Sequence, residues 1–148
     1  MGTKVWLMKV FKEWYDLFEH GIVGIDEDGI DDWYTNLTEK QKEKVFSSFG
    51  RPGTRKKFFE QFAYGMSKGD IIFIGTGQAS KFNINAIAKV TGEYRFDASE
   101  TPRHLRNVEI IVLEQPIPYD KWSWAKRVEK LPESKMDEFA EIVSKLIF

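Results

Sequence analysis

Residues 68–96 read KGDIIFIGTGQASKFNINAIAKVTGEYRF, and the pattern of this stretch decides the fold class. Within it, Asp70–Gly75 and Ile84–Phe96 are runs of Val, Ile and aromatic residues, which are typical of β-strands. A third run of this kind, Asn107–Gln115, follows along the chain. Because polar loops separate the three runs, the pattern predicts three consecutive strands.

Towards the N-terminus, two further strands and one helix are predicted. Lys4–Val10 is apolar on both faces except at its ends, which favours a central position in a sheet or small barrel. Residues 11–18 carry an aromatic stripe at helical spacing that ends before Gly21. Residues 21–25 then read as a second short strand.

Helices are predicted between the first two strands and the last three, and again at the C-terminus. Thr38 and Gln41 have the spacing of a capping box, which predicts a helix from Glu39 to Phe49. Thr54 begins another helix whose inward stripe is Phe58, Phe59, Phe62 and Met66. A final helix after Ser134 carries a stripe of Met136, Phe139, Ala140, Val143 and Ile147.

This order of elements predicts an α+β fold: a small curved or partly closed β-barrel surrounded by helices. Regular βαβ alternation and internal repeats are both absent from the sequence. Pro116 and Pro118 are expected to end the last strand, because proline cannot donate to a β-ladder.

The length of 148 residues predicts one domain, residues 1–148, and the end of the chain directly after a helix suggests the N-terminal fragment of a larger protein. No Cys is present, and neither a signal peptide nor a membrane-length apolar run is found, so we expect a cytoplasmic protein. The net charge of −1 conceals a basic middle, because residues 51–106 hold 10 basic and 5 acidic residues. That segment could form an anion-binding face or an ordinary solvated surface.

Some short motifs resemble catalytic or phosphate-binding sites, but the secondary structure predicted around them does not fit such sites. Gly65–Gly69 matches the nucleophile elbow around Ser67, but a helix precedes it and a strand follows. The glycines at 75 and 77 precede a strand rather than a helix, so no helix N-terminus would face a phosphate. His20 and His104 have no metal-ligand spacing. We therefore expect no enzyme activity, no metal and no cofactor.

Three short motifs indicate a family resemblance: Gly69-Asp-Ile-Ile-Phe, Val90-Thr-Gly-Glu-Tyr, and Pro116-Ile-Pro-Tyr. From about Val5 to Trp122 the chain resembles the PUA-like superfamily, specifically domains of the EVE and YTH type. The closest variant is the N-terminal DNA-binding domain of archaeal restriction proteins of the McrB type. This resemblance implies recognition of one modified nucleobase that is flipped into an aromatic pocket.

Two groups of residues are candidates for these roles. The candidates for the base pocket are Trp33, Tyr34, Asp26, Tyr94 and Phe96. The candidates for contacts with the nucleic-acid backbone are Arg95, Arg103, His104, Arg106 and Lys81. For each aromatic side chain the alternative is core packing, and for the arginines it is a solvated loop charge.

The function that the resemblance implies is non-catalytic recognition of methylated DNA, as the targeting module of a modification-dependent restriction system. A GTPase motor and a nuclease subunit would then be partners. One alternative is an RNA-binding reader of a modified nucleotide with the same fold. Another is a protein interaction domain that uses its aromatic surface.

Overall fold

The protein is seen here in a computed structural model. The structure describes residues 3–9, 20–25, 30, 32–47, 52–78, 81–99, 103–119, 128–135, 137 and 140–141. Its strands are β1 (Val5–Lys9), β2 (Ile22–Ile25), β3 (Ile71–Gln78), β4 (Lys81–Val90), β5 (Arg95–Phe96), β6 (His104–Tyr119) and β7 (Val128–Lys130). Its α-helices are α1 (Glu39–Phe46) and α2 (Pro52–Glu60), with a 3-10 turn before α1 (Asp32–Asn36), a π-helical turn after α2 (Gln61–Gly65) and a 3-10 turn near the C-terminus (Glu133–Lys135).

The strands of the described residues form one mixed sheet in the order β2-β6-β4-β3-β1-β7. β5 pairs with His104 and Leu105 of β6, which also pair with β2, so β5 and β2 lie on opposite edges of β6. β1 runs parallel to β3, with Val5 opposite Ile71, and antiparallel to β7. The central position predicted for β1 is therefore confirmed. The α+β class and the curved, partly closed sheet with helices around it are also confirmed.

Apolar side chains cover both faces of the sheet, because alternate residues of a strand point to opposite faces. Trp6 and Met8 face the larger core under the helices. This core also contains Phe59 and Phe62 of the second helical segment, the name used here for α2 together with the π-helical turn that follows it. Val5 and Leu7 face a smaller cluster with Phe73. Burial on both faces explains why β1 reads as a continuous apolar run.

The capping box predicts the start of α1 correctly. The Gln41 backbone N–H donates to Thr38 Oγ1, and the Thr38 backbone N–H donates to Gln41 Oε1. The second helix begins at Pro52, two residues before the predicted Thr54, because proline fits the first helical turn without losing a hydrogen bond. The inward stripe from Phe58 to Met66 is buried as predicted.

Two predicted strand boundaries are wrong. The run Ile84–Phe96 is divided, because the backbone N–H groups of Thr91 and Gly92 both donate to Asn107 O instead of continuing the β4 ladder. β6 continues through Pro116 and Pro118 to Tyr119, and Pro118 lies opposite Asn83. A proline nitrogen that faces away from the partner strand costs no ladder hydrogen bond, and residues i and i+2 of a regular strand face the same side.

Gly75, the last residue of its predicted strand, lies inside β3, which continues to Gln78. It lies at a register shift where β3 and β4 come very close together. A Cβ at this position would lie 1.8 Å from the Asn83 carbonyl oxygen, so only glycine fits.

Two predicted helices lie wholly or mostly outside the described residues: the helix over 11–18 and the C-terminal helix after Ser134. Within the described part of the chain, no helix is long and apolar enough to cross a membrane.

Candidate nucleic-acid interface

A continuous network of aromatic rings runs from the turn before α1 to the start of β6. We call it the aromatic seam, and its members are Trp33, Tyr34, Phe59, Tyr64, Tyr94, Phe96 and His104. Each ring centroid lies between 4.9 and 6.5 Å from that of a neighbour. The four aromatic residues predicted for the base pocket therefore belong to one network: Trp33, Tyr34, Tyr94 and Phe96. Phe59 and His104 provide the ring contacts that connect them.

Trp33 and Tyr64 are the seam members most open to solvent. Trp33 exposes 41% of its surface and Tyr64 exposes 40%. Trp33 packs at 6.5 Å and 56° against Tyr34, which fixes one side of the indole. A large aromatic ring that remains this exposed can stack on a planar ligand.

Tyr34 lies in the interior, and the prediction that it lines an open base pocket is wrong. It is fully buried, with edge contacts to Phe46 and Phe59 at 5.8 and 5.0 Å. Its hydroxyl donates to Glu60 Oε1 at 3.0 Å. Burial, reinforced by the Glu60 carboxylate, raises the pKa of Tyr34 far above its ordinary value. Tyr34 therefore supports its neighbours rather than contacting a ligand.

His104 is also buried, so its predicted contact with a phosphate is wrong. Its ring lies between Tyr94 and Phe59, and its Nδ1 is 2.6 Å from the Tyr94 hydroxyl. Tyr94 stacks on the imidazole at 5.8 Å with an angle of 14°. The pair anchors the loop before β5 to the start of β6.

The prediction that Arg106 contacts a phosphate is wrong, because Arg106 is buried and its guanidinium binds the protein backbone. Its guanidinium donates to the carbonyl oxygens of Phe62, Ala63, Met66 and Gly92 at 2.8 to 3.1 Å. Burial lowers its pKa, and the Glu93 and Asp70 carboxylates partly offset this effect. With its donors engaged inside the protein, Arg106 cannot bind a phosphate at the surface.

The remaining predicted residues are at the surface or outside the described part. Arg103 lies with its Cζ 6.0 Å from the ring centroid of Phe96, a cation–π distance. Arg95 is exposed and donates to Asn107 Oδ1 at 3.4 Å. Asp26 and the side chain of Lys81 lie outside the described residues. The ligand contacts proposed for Trp33, Phe96, Arg95 and Arg103 stay predictions.

Tyr64 is a candidate that sequence reasoning missed. It follows Phe62 in the second helical segment but falls outside the inward stripe. An aromatic residue on the polar face of a predicted helix was the available signal. Burial and the Glu60 charge raise the pKa of Tyr64 to about 12, so its hydroxyl stays protonated at neutral pH.

The helices beside the seam are cationic. Together α1 and α2 carry six Lys and Arg residues and three Glu residues. Lys42 Nζ lies 5.4 Å from the ring centroid of Tyr34 and 5.5 Å from that of Tyr64. Lys56 pairs with Glu60 at 2.7 Å, and this hydrogen bond raises the pKa of the lysine. The Lys42 ammonium thus lies close to the exposed ring of Tyr64.

The described residues of this region offer aromatic surfaces and charged side chains. Among the described residues, no group of three or more His, Asp or Glu side chains could hold a metal ion. Ser67, the residue of the elbow-like motif, donates its backbone N–H to Asp70 Oδ2 and follows the π-helical turn. A helical turn therefore precedes Ser67 and a strand follows it, whereas a nucleophile elbow has a strand before it and a helix after it.

Comparison with solved structures identifies the class of fold. A hypothetical protein from Leishmania major superposes with a TM-score of 0.57 at 12% identity, over 99% of this chain and 98% of that chain. The YTH domain of the Zygosaccharomyces rouxii MRB1 protein, solved in complex with N6-methyladenosine RNA, gives a TM-score of 0.51 at 13% identity, over 95% and 86%. The fold is therefore YTH-like and PUA-like, as the motifs implied.

The family is shown by sequence. Residues 8–130 match the model of the family described as Domain of unknown function (DUF8426), and the chain belongs to that family. No curated protein matches the chain.

Proposed function

We propose that this chain is a non-catalytic reader of modified nucleic acid that flips a methylated base out of DNA into an aromatic pocket. In this proposal it is the targeting module of a modification-dependent restriction system, as in the McrB type, and works with a GTPase motor and a nuclease subunit. The choice of DNA rests on the resemblance of the motifs within residues 69–119 to that type of domain.

The observation that carries the proposal is Trp33, exposed at one end of the aromatic seam on a YTH-like fold. Unstacking a base costs a few kcal/mol, and stacking on an aromatic side chain returns about 1–3 kcal/mol per base. A reader therefore needs exposed rings that are already held in place, together with cations for the phosphates. The seam and the cationic helices α1 and α2 supply both.

The test is the Trp33→Ala variant in filter binding with matched methylated and unmethylated duplexes. We expect the variant to lose the preference for methylated DNA while its far-UV circular dichroism stays unchanged, because the stacking energy at the open end of the seam is lost. Phe96→Leu serves as a comparison at the other end of the seam. Equal discrimination by the wild type and Trp33→Ala would remove Trp33 from the pocket.

RNA is the second candidate ligand, and the YTH domain with N6-methyladenosine RNA favours it. Competition between DNA and RNA oligonucleotides of one sequence, each with one methylated adenine, separates the two ligands. A site that contacts the 2′-hydroxyl prefers RNA by a constant factor whether or not the base is methylated. The restriction role is tested separately, by co-purification of a GTPase and a nuclease with the full-length protein.

A further inference from the structure

A cleft of about 820 Å³ lies between α1 and α2, and none of the predicted pocket residues lines it. We call it the helix cleft, and the lining residues that matter here are Glu43, Phe46, Lys57 and Tyr64. Its volume lies within the range of roughly 300–1,000 Å³ that small-molecule sites occupy.

The aromatic part of the helix cleft is rigid. Phe46 is almost completely buried and provides an apolar surface. Tyr64 is held by Tyr34, parallel to within 4° at 6.3 Å, and by Tyr94 at 6.0 Å and 74°. Because Tyr64 still exposes 40% of its surface, a planar ligand can stack on a ring whose position is already fixed.

Two of the charged side chains that line the helix cleft are available to a ligand. Glu43 and Lys57 are exposed, and within the described residues neither has a hydrogen bond or an ion pair. Lys56 and Glu60, in contrast, neutralise each other at 2.7 Å. A ligand that matches the cleft is therefore planar, carries an N–H donor for a carboxylate, and bears a negative charge.

We infer that the helix cleft binds a nucleotide whose base carries an exocyclic amine, as adenine and cytosine do. The base stacks on Tyr64, the amine donates to the Glu43 carboxylate, and the Lys57 ammonium pairs with the phosphate. This inference rests on the proposed function, because it takes the ligand to be nucleic acid. It adds a second base-binding site and a preference for amine-bearing bases.

The first test titrates the full chain with dCMP, dAMP and dTMP and follows binding by NMR chemical shifts. dTMP has a carbonyl where dCMP has the amine, so we expect it to bind about five-fold more weakly or worse. Tyr64→Ala should weaken dCMP binding about ten-fold, and Tyr64→Phe should bind like the wild type. Lys57→Ala should weaken all three nucleotides by one common factor.

Thr54→Ala is the matched control, because Thr54 is exposed on α2 and does not line the cleft. Equal affinity for dCMP and dTMP, or unchanged dCMP binding by Tyr64→Ala, would overturn the inference. Glu43→Gln adds a substitution at an exposed position that should remove the preference for the amine without affecting folding.

The second test separates this inference from the proposed function. Methylated and unmethylated oligonucleotides are bound to the wild type, Tyr64→Ala and Trp33→Ala. If the wild type binds methylated and unmethylated oligonucleotides equally but the dCMP results are as expected, the proposed reader function is wrong and the nucleotide site in the helix cleft is supported. If methylation matters and Tyr64→Ala binds every oligonucleotide and dCMP like the wild type, the cleft fails and the reader function stands.

Discussion

Arg106 and Asp70 are buried charged side chains whose hydrogen bonds join separate parts of the chain. Arg106 connects β6 to the end of the second helical segment through three carbonyl oxygens, and to the turn between β4 and β5 through that of Gly92. Asp70 accepts from the Trp6 indole N–H and from the backbone N–H groups of Lys4 and Ser67. A buried charge costs free energy unless such partners replace water, so the stability of these sites depends on complete hydrogen bonding.

Arg106→Ala should strongly destabilise the protein. Removing the guanidinium leaves buried carbonyl groups without donors, and each costs about 1–3 kcal/mol, so we expect the free energy of unfolding to fall by roughly 3 kcal/mol or more. Urea denaturation followed by circular dichroism measures this change. The exposed Arg95, changed to Ala, is the control and should shift stability by less than about 0.5 kcal/mol. A stable Arg106→Ala protein with weakened nucleic-acid binding would restore the original prediction of a phosphate contact.

Asp70 should make the free energy of unfolding depend on pH in the acidic range. Burial raises its pKa, but the hydrogen bonds from Trp6, Ser67 and Lys4, with the Lys4 charge, outweigh this, and the net pKa is below the ordinary 3.8. A carboxyl with a depressed pKa stabilises the fold fully above its unfolded value, and this contribution is lost as the pH falls through the folded value.

The measurement compares the wild type with Asp70→Asn in urea at several pH values. The stability difference between the two should be constant near neutral pH and should shrink as the pH falls below about 4. A difference that stays constant down to pH 2 would mean that Asp70 is not held as a carboxylate in the folded protein.

At the scale of elements, local patterns predicted the existence of strands and helices better than their ends. The capping box fixes the start of α1 because both of its hydrogen bonds form within four residues. The end of β6 depends on its partner: Pro118 pairs with Asn83, a residue 35 positions earlier. A proline is tolerated within a strand where its nitrogen faces away from the partner strand, and the sequence alone does not show which side that is.

Replacing two glycines by alanine should change the stability of the protein in opposite directions. Gly75→Ala places a methyl group against the Asn83 carbonyl, so we expect a loss of about 2 kcal/mol or more as β3 and β4 are forced apart. Gly53→Ala lies in α2, where a Cβ meets nothing within 4 Å, and should stabilise by about 0.5–1 kcal/mol. Thermal unfolding of both variants measures the effects. Equal shifts in the same direction would contradict the observed β3–β4 register.

At the scale of the whole molecule, the position of charge matters more than its total. The net charge of −1 combines a basic segment over 51–106 with acidic flanks. The fold removes Arg106 from that segment by burial and leaves Arg55, Lys56 and Lys57 on α2, beside the lysines of α1. Among the described residues, the basic side chains that could meet a polyanion near the aromatic seam are therefore those of the two helices, together with Arg95 and Arg103.

Arg103→Ala should weaken binding to methylated and unmethylated DNA by the same factor, because a phosphate contact carries no base information. The slope of log K against log salt should become flatter by about one unit. Lys130→Ala, on the edge strand β7 at the other end of the sheet, is the control and should leave the slope unchanged. An unchanged slope for Arg103→Ala would show that Arg103 makes no phosphate contact.

The sequence by itself determined the fold class, the strands, the capped helix and the family resemblance, because alternation, helical spacing and capping are local properties of a chain. It also selected most of the aromatic residues that form the seam. Only the tertiary structure decided which of them face solvent: Tyr34, His104 and Arg106 are interior, whereas Trp33 and Tyr64 are exposed. Burial depends on which distant elements pack together, and here β6 and the end of the second helical segment, some 40 residues apart, enclose Arg106 between them.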